Sequence, residues 1–218
     1  DPDTGLVYFG TGNTYDTGAL LNPIGEPDVS NAALYTNTTL AIDPAIGRLV
    51  CHFQHFANDQ WDLDWAFERQ IVRLPVLGRD RKFVLTAGKL GIYEAVDAAT
   101  GEFAFAYDMG LQNIVTAIDP ETGAKTIDES LVPDDGLIKM VCPHGAGAKN
   151  FLPASYDAAN RRLIVPLVEA CMDVFPVPGG GGGGGLSSGV NWGIRPTPES
   201  DGNYGRLLAL DLERGEPL

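Results

Sequence analysis

"AVDAATGEFAF", Ala95 to Phe105, runs apolar residues into an aspartate, turns over three small or polar residues, and resumes alternation after a glycine. Such a stretch reads as strand, tight turn, strand, with the glycine placed where the backbone φ must become positive. The same form, A-x-D-x-x-x-G, returns in "AIDPAIGRLVC" (Ala41 to Cys51) and "ALDLERGEPL" (Ala209 to Leu218). "AIDPETGAKTI" (Ala117 to Ile127) also fits, but polar residues follow its glycine, so a hairpin within a loop is expected there. "DPDTGLVYFGTG" and "YDAANRRLIVPLVEA" form a second class, an aspartate and turn followed by an apolar strand. Long helical periodicity is not found.

The repeats at 41 and 95 start 54 positions apart, and those at 95 and 209 start 114 apart, about twice that. Repeats of this size, made of short strands and Asp/Gly turns, predict an all-β chain folded as β-propeller blades, about three of them. A propeller closes with no fewer than about four blades. The expectation is therefore one partial propeller domain over residues 1–218, an excerpt of a longer protein. The opening turn that enters a strand at once and the abrupt "LERGEPL" end carry the same expectation. Within it, "PGGGGGGGLSSG", 178–189, formally matches a glycine-rich phosphate loop. It lacks a following Lys-Ser/Thr and a strand-to-helix context, so a flexible surface loop is expected.

Composition narrows the partners. Of 218 residues, 44% are hydrophobic and 20% charged, which is a globular balance, and the net charge is −14. An acidic chain repels nucleic acid and anionic membrane surfaces. No apolar run reaches membrane-span length. Cys51, Cys142 and Cys171 leave an odd count that fixes no pairing, and Cys142, His144 and distant Cys171 lack the close spacing of a zinc site. The glycosylation sequon at Asn37 is read as coincidence.

"NDQWDLDWAFERQ", Asn58 to Gln70, crowds Asp59, Asp62, Asp64 and Glu68 around Trp61 and Trp65. On a helix, Asp62 and Asp64 would diverge; in an extended segment, residues two apart face the same side. Two readings stand at this point. The pair converges to hold a hard cation, which wants several oxygen ligands, or it is a pair of solvated acids on a blade loop.

"YFGTGN", "NDQWDLD", "AGKLGIYEAVDAATGE" and "CPHGAGAKNFLPASYD…VPLVEACMD", in this order, resemble the quinoprotein alcohol dehydrogenases, along nearly the whole chain. The resemblance implies an eight-bladed periplasmic propeller carrying pyrroloquinoline quinone (PQQ) and a calcium or lanthanide ion. It implies an oxidoreductase acting on a small alcohol or polyol, with a cytochrome c or similar electron acceptor. It implies roles as well: Asn13 as a metal-ligating amide, Asp62 as catalytic base and metal ligand, and Asp64 as the extra carboxylate of lanthanide-using members. Lys89 would bond the reactive quinone edge, and Asn150 would lie near the cofactor, with Phe151 where many relatives carry tryptophan. Cys142 and Cys171 would form a disulfide, leaving Cys51 unpaired at a place where the repeat usually ends in a blade-docking tryptophan. The family's acidic metal ligand and stacking tryptophan are expected upstream of "DPDTG". A rival class is a non-catalytic propeller, used as scaffold or partner-binding module; a third is a calcium-stabilised structural propeller. Neither needs Asn13, Asp62, Asp64 and Lys89 together.

Overall fold

The computed structural model describes residues 1–14, 30–76, 79–176 and 190–218. The glycine-rich stretch 178–189 lies outside them. Three blade-like antiparallel sheets follow one another. The first holds β1 (Val7–Gly10), β2 (Thr38–Asp43) and β3 (Arg48–Gln54). The second holds β4 (Gln70–Val76), β5 (Arg79–Ala87), β6 (Ile92–Asp97) and β7 (Phe103–Asp108). Next come a two-stranded hairpin, β8 (Val115–Ile118) and β9 (Lys125–Ile127), a single 3-10 turn at Glu129–Leu131, and β10 (Lys139–Val141). The third blade begins with β11 (Ser155–Asp157) and β12 (Arg162–Val168). It is interrupted by the hairpin β13 (Ala170–Pro176) and β14 (Val190–Pro196), which pairs with β10. It is then completed by β15 (Gly205–Asp211), paired with β12, and β16 (Glu216–Pro217). The expected all-β blades are present, and the 117–127 segment is the expected loop hairpin.

The repeat works through its aspartate. Asp97 Oδ1 accepts from the amides of Ala99 (2.9 Å) and Thr100 (3.2 Å), and the Gly101 amide returns to the Asp97 carbonyl at 2.8 Å. Asp119 and Asp211 build the same turn on residues 121–123 and 213–215. The fourth residue after the aspartate has φ of +64° at Gly47, +75° at Gly101, +72° at Gly123 and +67° at Gly215, which is why glycine recurs there. The second sequence class is the same turn. Asp1 holds the Asp3 amide and Gly5 has φ +73°; Asp157 holds Ala159 and Asn160, with Arg161 at φ +52° in glycine's place.

Blade two is the centre of the stack, and β5 shows why. Its period-two alternation is buried on both sides. Phe83, Leu85 and Ala87 pack with Leu163, Val165 and Leu210 of blade three, whereas Val84 joins Val96 beside Tyr8 and Phe53 of blade one. Truncating Phe83 to alanine in such a core costs about 3–5 kcal/mol. The contact between blades one and two also passes through Cys51: a Cβ added at Gly101 would lie 2.9 Å from its Sγ. A third cluster, with Trp61, Leu63, Trp65, Leu90, Ile92 and Ile114, lies beneath the segment that carries Asp62 and Asp64.

Candidate functional site

The segment 61–66 is in no strand, yet it is extended enough to alternate. Trp61, Leu63 and Trp65 are buried, while Asp62 and Asp64 turn to the opposite side and meet one cation. Lys89 Nζ lies 3.0 Å from Asp62 Oδ2 and 2.6 Å from Asp64 Oδ2, and donates to the Asp62 carbonyl at 2.8 Å. The two carboxylates therefore converge. Asp62 sits at φ +62°, a conformation that aspartate tolerates better than most residues.

Lys89 arrives on the β5–β6 turn and is strapped from both ends of its peptide. Its amide donates to the Asp64 carbonyl at 2.9 Å, and its carbonyl accepts from Ala148 at 2.7 Å. Asn13 follows the end of β1. Its amide donates to Asp64 Oδ1 at 2.7 Å, a close approach made possible by Gly12, where an added Cβ would meet that oxygen at 2.7 Å. The Asn13 side-chain Nδ2 donates to the Asp59 carbonyl at 3.0 Å. Its Oδ1 is buried without a hydrogen-bond partner, one of four such side-chain atoms among the described residues. A buried amide oxygen left unmet costs free energy, and a cation or a hydrogen-bond donor would satisfy it.

Asn150 is not joined to this cluster by a hydrogen bond. Its Nδ2 donates to the Ala146 carbonyl (2.7 Å) and its Oδ1 accepts from the Phe151 amide (2.7 Å), on a loop whose Gly147 packs against the Lys89 side chain. Phe151 is 77% exposed. Among the described residues no group of three or more His, Cys, Asp or Glu side chains forms a metal-ligand set. The two carboxylates of Asp62 and Asp64 carry two negative charges, of which Lys89 compensates one. Burial pushes the Asp62 carboxyl upward, Lys89 opposes that, and Asp64 adds to it; the net shift is upward. Burial alone would lower Lys89, but Asp64 and Asp62 outweigh it and raise the ammonium.

Several residues here were not legible in the sequence. Asn37, dismissed as a chance sequon, is wholly buried at φ +48° and bonds Asp59 Oδ2 through Nδ2 at 2.9 Å. Asp59 is buried too, and burial pushes its carboxyl up to about 6 against the opposing pull of the Trp61 amide, Asn37 and the Leu63 amide. His55, Glu94 and Lys125 form a closed layer. His55 Nδ1 donates to Glu94 Oε2 (2.7 Å), Lys125 Nζ reaches Glu94 Oε1 (2.6 Å), and Thr39 Oγ1 meets His55 Nε2 (2.7 Å). Arg69 Nε donates to that same hydroxyl at 3.0 Å, leaving its hydrogen for His55 Nε2. The His55 ring stacks on Trp65 at 5.1 Å between centroids. Only a signal that pairs residues across blades would have found this layer. Cys142 and Cys171 are disulfide-bonded with Cα atoms 4.2 Å apart, joining β10's end to β13, and Cys51 is free.

A family model described as "PQQ: Glucose/ethanol/alcohol dehydrogenase, beta-propeller domain" matches residues 1–109, and the chain belongs to that family. Curated relatives include a putative dehydrogenase XoxF of Paracoccus denitrificans, 28% identical across 99% of this chain and 36% of its own length. A lanthanide-dependent methanol dehydrogenase of Methylorubrum extorquens is 27% identical over the same shares, 99% and 36%. The dehydrogenase subunit of a quinone alcohol dehydrogenase from Acetobacter aceti is 29% identical over 100% of this chain and 30% of its own length. The chain thus spans about a third of the length of the curated relatives it matches. Among solved structures, a europium-containing methanol dehydrogenase superposes with a TM-score of 0.83 at 22% identity, over 100% of this chain and 37% of the other. A quinohemoprotein alcohol dehydrogenase from Comamonas testosteroni gives 0.83 at 23%, over 100% and 33%. These likenesses are of fold.

Proposed function

We propose that this chain supplies part of the active site of a PQQ- and metal-dependent dehydrogenase that oxidises a small alcohol or polyol. The observation that carries the reading is the meeting of Asp62, Asp64 and Lys89 beside the orphaned Asn13 Oδ1. Asn13 Oδ1 with the Asp62 and Asp64 carboxylates would hold the cation; oxygen donors of this kind suit calcium or a lanthanide. PQQ, when bound, supplies the electron sink, and the metal polarises its reactive carbonyl.

The chain's own residues do the rest. Asp62, its side chain 36% exposed, accepts the hydroxyl proton of the alcohol, and its raised proton affinity suits a general base. Lys89 presents a fixed ammonium to a polarised oxygen. All three of its hydrogens are matched to Asp62 and Asp64 oxygens, which hold the ammonium in place. Asn150 spends one N–H and one lone pair locally and keeps one of each for a cofactor edge. Asp64 favours a trivalent ion, because Coulomb attraction to an added carboxylate scales with cation charge. The disulfide suits an oxidising compartment such as the periplasm, where a cytochrome c-type acceptor would take the electrons.

The test is reconstitution of the full-length apoprotein with PQQ and either calcium or lanthanum, followed by alcohol-dependent dye reduction. Turnover should require both PQQ and metal. Its absence with every alcohol tried, despite saturating cofactor, would overturn the reading.

A further inference from the structure

The acids of 61–66 hold their alignment without a strand beside them. Something else must take the backbone amides that a neighbouring strand would take. Asp59 Oδ1 accepts from the Trp61 amide at 2.9 Å, Asp59 Oδ2 from the Leu63 amide at 2.6 Å, and Asn37 Oδ1 from the Trp65 amide at 3.2 Å. Alternate amides are thus pinned on one side, which leaves Asp62 and Asp64, with their carbonyls, facing Lys89 on the other. Asn37 Nδ2 ties the two pins together through Asp59 Oδ2 at 2.9 Å. The Asp59 carbonyl in turn receives Asn13 Nδ2, which commits that amide's hydrogen and leaves its Oδ1 for the site. Both pins are 0% exposed, so water does not compete for them. Asn37 is itself anchored by blade one, donating to the Gly12 carbonyl (3.1 Å) and accepting from the His55 amide (2.8 Å).

We infer that Asp59 and Asn37 are positioning residues: a buried carboxylate–amide clamp that replaces a strand partner and sets the aim of Asp62, Asp64 and Asn13. The role rests on the proposed metal site. It also demands these residue types. Asp59 accepts on both oxygens and donates nothing, which only a carboxylate can do. Asparagine there would point N–H groups at the Asn37 amide and the Leu63 N–H.

The experiment titrates terbium alone into the full-length apoprotein and reads luminescence, with melting temperature measured alongside. Asp59→Asn should weaken terbium binding at least tenfold. Exchanging the pair, Asn37→Asp with Asp59→Asn, restores the carboxylate–amide bond and the acceptors for Trp61 and Trp65, though not for Leu63. It should therefore recover at least threefold of the loss. Val165→Ala, in the core of blade three, gives a melting-temperature loss unrelated to the site and should keep affinity within twofold. Should Asp59→Asn fail to fold, Asn37→Gly, which keeps the left-handed backbone, is read against the same tenfold threshold. Binding within twofold of wild type in Asp59→Asn or Asn37→Gly, or an exchanged pair no better than Asp59→Asn, overturns the clamp. Asn13→Ala separates the two ideas. Weakened binding there with Asp59→Asn unchanged overturns the clamp alone, whereas unchanged binding in Asn13→Ala overturns the metal site and the clamp with it.

Discussion

Two ionic clusters adjoin Trp65, and they are built to opposite rules. In the first, His55, Glu94 and Lys125 are tucked between blade one, blade two and the β8–β9 hairpin, with His55 and Glu94 side chains at 0% exposure and Lys125 at 3%. One carboxylate faces one ammonium, the imidazole is neutral because burial lowers it to about 4, and its hydrogen bonds run in one direction. Every polar side-chain atom of His55 and Glu94 is matched. In the second, Asp62 and Asp64 outnumber Lys89, the carboxylates are 36% and 26% exposed, and an amide oxygen beside them is unmet. A balanced and closed cluster holds blades together; an unbalanced and open one has capacity left for a ligand. Charge count and satisfaction separate the two more clearly than residue identity does.

The largest effect belongs to the open cluster's chemistry. Asp62→Asn in the reconstituted full-length enzyme should lower kcat by about 100- to 10,000-fold, since an amide cannot take the proton, while PQQ binding measured by absorbance stays intact. Near-normal kcat would remove Asp62 from the reaction. The closed cluster should answer in stability instead. Glu94→Gln strands Lys125 among apolar neighbours and should cost about 3–5 kcal/mol in denaturant melts, with terbium affinity unchanged in the protein that remains folded.

A smaller effect comes from pH. The unfolded chain protonates His55 near 6.5, whereas the folded chain resists until about 4. Stability from the neutral ring is therefore complete above 6.5 and is lost as pH falls toward 4, by about 3 kcal/mol. Asp59, raised to about 6, contributes with opposite sign over part of that range, so the readable quantity is a difference. The stability deficit of His55→Gln relative to wild type should shrink between pH 7 and pH 4; a constant deficit would mean that the ring titrates alike in the folded and unfolded chains. The finest effect concerns the ion. Asp64→Ala should weaken lanthanum at least about tenfold more than calcium, because the lost carboxylate attracts a trivalent ion more strongly. Equal losses for both ions would leave Asp64 as a hydrogen-bond partner of Asn13 and Lys89 only.

The blades could be read from the chain because they rest on local rules, whereas Asn13 and Lys89 of the candidate site came from the resemblance. An aspartate that caps its own turn and a glycine four residues later are a short-range device, so A-x-D-x-x-x-G announces each hairpin wherever it falls. D-x-D likewise suggested that Asp62 and Asp64 share a side, which the structure reaches outside any strand and with Asp62 at φ +62°. Even so, local pattern set the turn at Asp157 apart from the others, although the backbone treats it alike, because Arg161 stands where glycine was sought. Asn150 was reached by motif alone. Its amide closes its own loop with one N–H and one lone pair, a local contact that the motif did not announce.

What the sequence alone determined was the strand-and-turn grammar, the stacking of apolar alternation into blades, and the presence of acids and a lysine fit for one site. Only the tertiary structure decided that Asn37 meets Asp59 across 22 positions, that His55 meets Glu94 across 39, and that Lys89 meets Asp62 across 27. The physical reason is burial. A polar side chain taken out of water needs a partner in space, and which partner it finds depends on how the blades pack, a distance that no local pattern encodes.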